Sequence, residues 1–438
     1  MHIEPDTSGM SPAFPAAGRQ GKERLPASVC LYIDTLGAGG AERQVVTLAR
    51  ELQSRGIAVR VLCDRLDGEH GHYLPNLAQA GIEAETFISE EHFQLGLVLA
   101  ERNPPLLKAL AGFSLNHHTV LCLAGRLRRA RPDILHCFLD GSNAIGGCAG
   151  LAAAVPGVIL SARNTIPGNL AYDGYRELAT ITLPIYTFLL THPNVLLEAN
   201  SSAGARDYAG WVGVAPESFA VNPNGLDTTL FAPQEASSRL KIRRELDIAE
   251  DAPLIFWIGK NYVVKRPSDM LAIAASVHEK MPSARFAVAG NGMGTRDPIA
   301  ESVCKCGLDG VVKLLGRRKD IPALFNAADA FLLTSEVEGF PNAVMEAMYM
   351  GLPVVATAVG AVPDIMEPGK QGFLHPVGDV QGMADSLLHL LGNPTLAKAL
   401  GEAGKKRIEE RFTSKNLREN ALTMYEGLLG RIQGGSCS

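Results

Sequence analysis

The stretch AFLLTSEVEGFPNAVMEAMYMGLPVVAT, Ala330–Thr357, reads as a complete strand, loop, helix and strand. AFLLTS (Ala330–Ser335) and PVVAT (Pro353–Thr357) are short apolar runs without polar alternation, the pattern of strands buried on both faces of a parallel sheet. Pro341 suits the first turn of a helix, where its missing N–H costs nothing. Glu338 then lies in the loop before that helix, and Glu346 more than one turn inside it. The first amides of a helix have no intrahelical acceptor, so those of Asn342, Ala343 and Val344 would point between the two carboxylates. A helix end of this kind can hold a phosphate, with sugar hydroxyls on the glutamates. Charged residues flanking a helix are, on spacing alone, usually no more than a solvated face.

Outward from this unit the alternation continues in both directions. PLIFWIG (Pro253–Gly259), RFAVAG (Arg285–Gly290) and VVKLLG (Val311–Gly316) precede it as strands separated by helices, and helices run from about Val380 to the end. A break rich in asparagine, glycine and proline, VNPNGLDTTLFAP (Val221–Pro233), comes before that set. Upstream of the break a second set appears: VCLYID (Val29–Asp34), a helix over Gly39–Gly56, AVRVLCD (Ala58–Asp64), DILHCF (Asp133–Phe138), GVIL (Gly157–Leu160) and NVLLEANS (Asn194–Ser201). Alternating strands and helices make an α/β chain with parallel sheets. The expected layout is a mobile tail over 1–27, a Rossmann-like domain over 28–235, a second over 236–412, and a C-terminal helix and tail over 413–438.

Composition agrees with folded domains: 46% of the 438 residues are hydrophobic and 20% charged. The formal net charge of −5 lacks the basic excess that nucleic-acid binding needs, so no nucleic-acid partner is expected. The 8 cysteines include no C-x-x-C pair, and Cys304 with Cys306 cannot complete a zinc site alone. Free, mostly buried thiols and the absence of a signal-like segment suit a cytoplasmic protein. Two charge-free runs, Gly141–Ala162 and Leu178–Leu197, approach membrane-spanning length, but proline cuts both; each reads as a buried helix followed by a buried strand.

The loops after the strands carry the chemistry. TLGAGGAER (Thr35–Arg43) offers Gly39 and Gly40 at a helix start, yet Glu42 occupies the last position of a dinucleotide fingerprint. GNGMGT, beginning at Gly290, fails likewise with threonine, which leaves a nicotinamide oxidoreductase a distant reading. In KNYVVKR, Lys260 and Lys265 share one loop, where two ammonium groups repel unless an anion lies between them. Asp67 and Glu69 are the nearest substitute for an absent Asp-x-Asp metal pair, so no metal is expected.

EGFPNAVMEAM, followed by GLPVVATAVGAVPDIM, resembles the signature of retaining GT-B glycosyltransferases of family 4 (group 1), with two glutamates separated by seven residues. IGKNYVVKR is similar to that family's diphosphate loop, with Lys260 replacing the usual arginine. NPNGLDTTLF, GGAER and LGRRKDIPALFNAADAFLLTSE resemble its interdomain turn, first glycine loop and base-binding region. The resemblance implies two facing Rossmann-like domains with a ligand cleft between them. It implies a metal-independent, retaining hexosyltransferase acting on a UDP- or GDP-sugar and a saccharide or lipid-linked acceptor, without a cofactor. Glu346 would hold the ribose and Glu338 the donor sugar. Lys260 and Lys265 would neutralise the diphosphate, helped by Gly39 and Gly40, and Gly290, Arg317 and the amides of Asn342, Ala343 and Val344 would complete the donor site.

One departure stands out. Where many members carry a histidine, ILSARNT places Arg163, a candidate contact to the donor sugar or a phosphate; His136 is a weaker candidate. Lost catalysis at this position would leave a silent nucleotide-sugar-binding scaffold as the alternative. Finally, Arg126, Arg128, Arg129 and Arg131 follow an apolar stripe of Val120, Leu121, Leu123 and Leu127. This is either a helix with a basic end that suits its dipole or a peripheral membrane contact.

Overall fold

The computed structural model describes residues 25–165, 173–231 and 236–434. The expected N-terminal tail therefore lies almost wholly outside the described residues. The chain forms two compact units, one reaching to Asn222 and resumed from Glu419, the other spanning Pro223–Arg418.

The first unit is built on seven parallel strands: β1 (Ser28–Tyr32), β2 (Ala58–Cys63), β3 (Glu83–Thr86), β4 (Ile134–Phe138), β5 (Gly157–Ala162), β6 (Val195–Ala199) and β7 (Phe219–Val221). They lie in the order β3-β2-β1-β4-β5-β6-β7. In register, Leu31 of β1 faces Val61 on one side and His136 on the other. The second unit holds β8 (Leu254–Ile258), β9 (Arg285–Ala289), β10 (Val312–Gly316), β11 (Ala330–Leu333), β12 (Val354–Thr357) and β13 (Gly372–His375), in the order β10-β9-β8-β11-β12-β13. Each sheet starts from a central strand, winds one way and then reverses, which is the doubly wound arrangement. Period-two alternation serves both faces of the second sheet: Phe256 packs with Phe325 and Phe331 on one side, and Trp257 with Met270 and Ile273 on the other.

The crossing between units differs from the expected position after residue 235. Asn224 and Leu226 already belong to the second unit, where the Leu226 amide donates to the Phe412 carbonyl and its own carbonyl accepts from Ser414. The last helix, Ser414–Gly434, begins in the second unit and continues into the first, where Tyr425 and Leu428 are fully buried.

Both charge-free runs resolve as expected, into a helix over Asp140–Ala152 followed by β5 and a helix over Asp173–Leu189 followed by β6. Among the described residues no helix is long and apolar enough to cross a membrane. The stripe of Val120, Leu121, Leu123 and Leu127, on the helix His117–Ala130, faces the core rather than a lipid surface. Arg126 pairs with Glu85 and Arg129 with Glu91, so much of the basic cluster is neutralised within the fold.

Candidate functional site

Strand order reverses between β8 and β11, and the loops that follow these two neighbours carry three of the expected residues and lead into the helix that holds a fourth. The loop after β8 brings Lys260 and Lys265, and the loop after β11 leads through Glu338 into the helix Asn342–Tyr349 that carries Glu346. Backbone and side-chain bonds join the two loops. The Glu336 amide donates to the Val264 carbonyl at 2.8 Å, and the Thr334 hydroxyl donates to the Lys265 carbonyl at 2.8 Å while accepting from Trp257 Nε1 at 3.0 Å.

Lys265 Nζ lies 2.5 Å from Glu338 Oε1, which also accepts from Ser335 Oγ at 2.7 Å. The two lysines therefore do not form a bare cationic pair: a carboxylate from the neighbouring loop faces one of them. Lys260 is exposed, its ammonium 5.7 Å from the centre of the Tyr262 ring. A third loop braces Glu338 from behind. Gly360 has φ +51°, a Cβ there would overlap the Glu338 carbonyl, and the Ala361 amide donates to the Gly339 carbonyl at 3.1 Å.

Pro341 is the N-cap rather than a first-turn residue, and the Val344 amide turns back to the Pro341 carbonyl at 3.1 Å. Of the three expected free amides, that of Val344 is thus already used. Asn224 steadies the helix start by donating to Asn342 Oδ1 at 2.9 Å. Glu346 is buried at 4% exposure. Gly290 sits at φ +139°, where a Cβ would overlap the Gly259 carbonyl, and its amide donates to the Gly316 carbonyl at 2.8 Å. Its glycine character is therefore demanded by the close approach of the loops after β8 and β9. Arg317 is exposed after β10, an edge strand, while its neighbour Arg318 pairs with Glu245 and Asp320, both at 2.6 Å.

In the first unit Gly39 is the N-cap of the helix that begins at Gly40, and the Glu42 carboxylate lies against it. Arg163 is not offered to a ligand as expected. Its guanidinium is buried, donating to Glu198 Oε1 at 2.8 Å and lying 4.9 Å from the centre of the Phe138 ring. The inward turn has a simple cause: Glu198, inside the apolar strand β6, needs a counter-charge. His136 Nε2 meets the other Glu198 oxygen at 2.8 Å, and its Nδ1 meets the Tyr425 hydroxyl at 2.9 Å. Burial pushes His136 below its ordinary value near 6.5 despite the adjacent carboxylate. For Glu198 burial acts upward, but Arg163 and then His136 outweigh it and hold the carboxyl below 4.5. A second buried carboxylate, Asp140, accepts from Tyr186 at 2.9 Å and from Tyr208 at 2.9 Å, with burial raising it above the usual range. Sequence reasoning missed Glu198, although a charge within NVLLEANS was its signal.

Asp67 and Glu69 fall at a short 3-10 turn, and among the described residues no group of three or more histidine, cysteine, aspartate or glutamate side chains could hold a metal.

Two doubly wound parallel sheets in one chain, each with its site loops at the strand ends, define the GT-B fold. Residues 38–230 match the sequence model of glycosyltransferase family 4, and residues 238–407 that of glycosyl transferases group 1. The chain belongs to this family of group 1, family 4-type glycosyltransferases. It is 27% identical over 293 residues, 66% of its length and 55% of the relative's, to the sulfoquinovosyl transferase of Arabidopsis thaliana. It is 26% identical over 379 residues, 83% of its length and 86% of the relative's, to the D-inositol 3-phosphate glycosyltransferase of Actinosynnema mirum. For the first curated relatives the match spans only about half of their length, 51–55%. Among solved structures, Anabaena HepE in complex with UDP has the same fold, with a TM-score of 0.72 at 20% identity over 91% of this chain and 99% of that one.

Proposed function

We propose that this protein is a retaining, metal-independent hexosyltransferase that moves a sugar from a nucleotide-diphosphate donor to a saccharide or lipid-linked saccharide in surface polysaccharide or glycolipid synthesis. The observation that carries the reading is the joining of the β8 and β11 loops, which gathers Lys260, Lys265, Glu338 and the Glu346 helix at the switch point of the second sheet. Supporting it, solved complexes of HepE contain UDP and UDP-glucose, and the curated relatives are named for sugar transfer.

In this reading Glu346 holds the ribose and Glu338 the donor sugar, while Lys260 and Lys265 face the diphosphate with the amides of Asn342 and Ala343. Gly290 keeps the β8 loop in place by letting the backbones meet. Negative charge grows on the diphosphate as the glycosidic bond breaks, so cations fixed in advance favour the transition state over the ground state. A donor phosphate oxygen takes the acceptor's proton during front-side attack, and no enzyme nucleophile is needed. Ser335 and Lys265 orient the Glu338 carboxylate for its hydroxyl partners. A lipid-linked acceptor would bring the chain to the cytoplasmic face of a membrane.

The test is nucleoside diphosphate release by the purified chain from a panel of UDP- and GDP-sugars, with and without chelator and with Glu346→Ala alongside. Release from at least one donor, insensitive to chelator and lost in the variant, is expected. No release from any donor contradicts transfer, and a requirement for divalent metal contradicts the metal-free mechanism.

A further inference from the structure

We propose that Ser386, His375 and Asp379 form a second catalytic centre, in which Ser386 is a nucleophile toward the carbonyl carbon of a short, uncharged carboxylic ester. All three lie in the second unit, and none is among the residues assigned to the sugar donor. Ser386 Oγ is 2.9 Å from His375 Nε2, and His375 Nδ1 is 2.8 Å from Asp379 Oδ2. The chain builds this line locally. His375 ends β13, the turn that follows is closed by the Asp379 amide donating to the Pro376 carbonyl at 3.2 Å, and Asp379 caps the helix Val380–Leu391. Ser386 follows Asp379 by seven positions, about two helical turns, which returns it to the same side of the helix, where one imidazole reaches both.

Capping alone does not call for this arrangement. The Gly382 amide donates to Asp379 Oδ1 at 3.0 Å, which completes the cap and leaves Oδ2 for the imidazole. A hydroxyl inside a helix commonly donates back to the carbonyl four residues earlier, as those of Thr180, Thr187 and Thr423 do here. That of Ser386 is turned to His375 instead. The hydrogen bond from His375, and then the Gly382 amide, hold the Asp379 carboxyl below its usual 3.8, so it is ionised at neutral pH and accepts from Nδ1–H. Nε2 is thereby left without a proton and accepts from the Ser386 hydroxyl, the tautomer that a general base needs. The His375 side chain is 15% exposed and Ser386 is half-buried, so the pair is open to solvent on one side. An ionised Asp379 disfavours an anionic substrate, and Val377, exposed two residues after His375, offers apolar contact to a short acyl chain.

In the reaction Ser386 Oγ attacks the ester carbonyl carbon as His375 Nε2 takes the hydroxyl proton. The tetrahedral adduct collapses by breaking the bond to the leaving alcohol, which receives that proton. Water, deprotonated by the same imidazole, then cleaves the acyl-serine, so that ester and water give carboxylic acid and alcohol. The amides of Val377 and Gly378, in the turn between His375 and Asp379, have no hydrogen-bond partner among the described residues and are the free donors nearest in sequence for the oxyanion.

The inference stands whether or not the chain transfers sugar. The full chain is treated with p-nitrophenyl acetate and, separately, with a fluorophosphonate, and the modified residues are located by peptide mass mapping. The parent is expected to release p-nitrophenol and to carry the phosphonate on Ser386. Ser386→Ala should lose both, and His375→Gln should slow both by about 10²-fold or more, as a lost general base does. Asp379→Asn keeps an oxygen for the Gly382 amide but presents an NH2 to Nδ1, which moves the imidazole proton to Nε2. Its melting temperature should match the parent's while labelling slows at least about tenfold, a split that marks Asp379 as a positioning residue rather than a cap alone. The proposal is overturned if the parent carries no phosphonate on Ser386, or if folded His375→Gln and Asp379→Asn are labelled at the parent's rate. Unchanged p-nitrophenol release in Ser386→Ala overturns it equally. If His375→Gln does not fold, the labelling rate of Asp379→Asn decides alone.

Discussion

Replacing Lys265 by methionine separates two roles that the structure superimposes on one ammonium group. Its side chain is 26% exposed and that of Glu338 11%, with 2.5 Å between the charged atoms. A pair this accessible contributes about 1 kcal/mol to stability. A fold held by about 5–15 kcal/mol stays folded after that loss, so a melting temperature lower by a few degrees is expected. The catalytic role predicts a larger effect: removing one fixed cation from a developing charge costs on the order of 10²-fold in kcat, or about 2.7 kcal/mol. The two magnitudes differ enough to be told apart by nucleoside diphosphate release at saturating donor alongside thermal melts. The double variant Lys265→Met, Glu338→Gln then discriminates further. Were Lys265 only a counter-ion for Glu338, the double variant would be no slower than Glu338→Gln alone. The proposed roles put the double variant below both single variants, and near-parental kcat in Lys265→Met, or a double variant no slower than Glu338→Gln, refutes them.

Other outcomes follow from the same geometry. Gly360→Ala places a methyl group against the Glu338 carbonyl at a φ of +51°, and turnover should fall more than about tenfold; unchanged kinetics would show that this loop does not set Glu338. His136 stays neutral in the fold where the unfolded chain takes up a proton, so stability should decline as pH falls below about 6.5. Denaturant titrations should show this slope flattened in His136→Gln, with the Glu198 contribution confined to lower pH because its carboxyl is held below 4.5. Native-state alkylation followed by peptide mass mapping should label Cys304 and Cys306 and spare Cys30, Cys63, Cys122, Cys137 and Cys148, since burial raises Cys30 and Cys148 to about 12 and all five are sequestered.

Much of this was legible in the sequence because central parallel strands are continuous apolar runs bounded by turns. The strands that escaped notice, β3, β7 and β13, are three or four residues long. All lie at the edges of their sheets, where half of the partner contacts that select an apolar run are missing. Glu338, Lys260 and Lys265 could be assigned to strand-end loops, and Glu346 to the helix that follows one of them, from local spacing alone. The Lys265 to Glu338 pair could not, because it joins residues 73 positions apart. Arg163 misled for a related reason. A strand-end arginine reads as a ligand contact until its buried counter-charge, Glu198 on the next strand, is known. The stripe on His117–Ala130 likewise has the same pattern whether it faces lipid or core; only the packing of the first unit distinguishes them.

Retaining sugar transfer itself is tested most directly by the anomeric configuration of the first product. The purified chain is supplied with an α-linked nucleotide sugar that it turns over, and proton NMR is recorded before the released or transferred sugar can mutarotate. The account predicts an α-configured initial product, formed in the presence of chelator and absent from Glu346→Ala. A β-configured product contradicts the retaining mechanism, and the absence of any sugar product contradicts transfer.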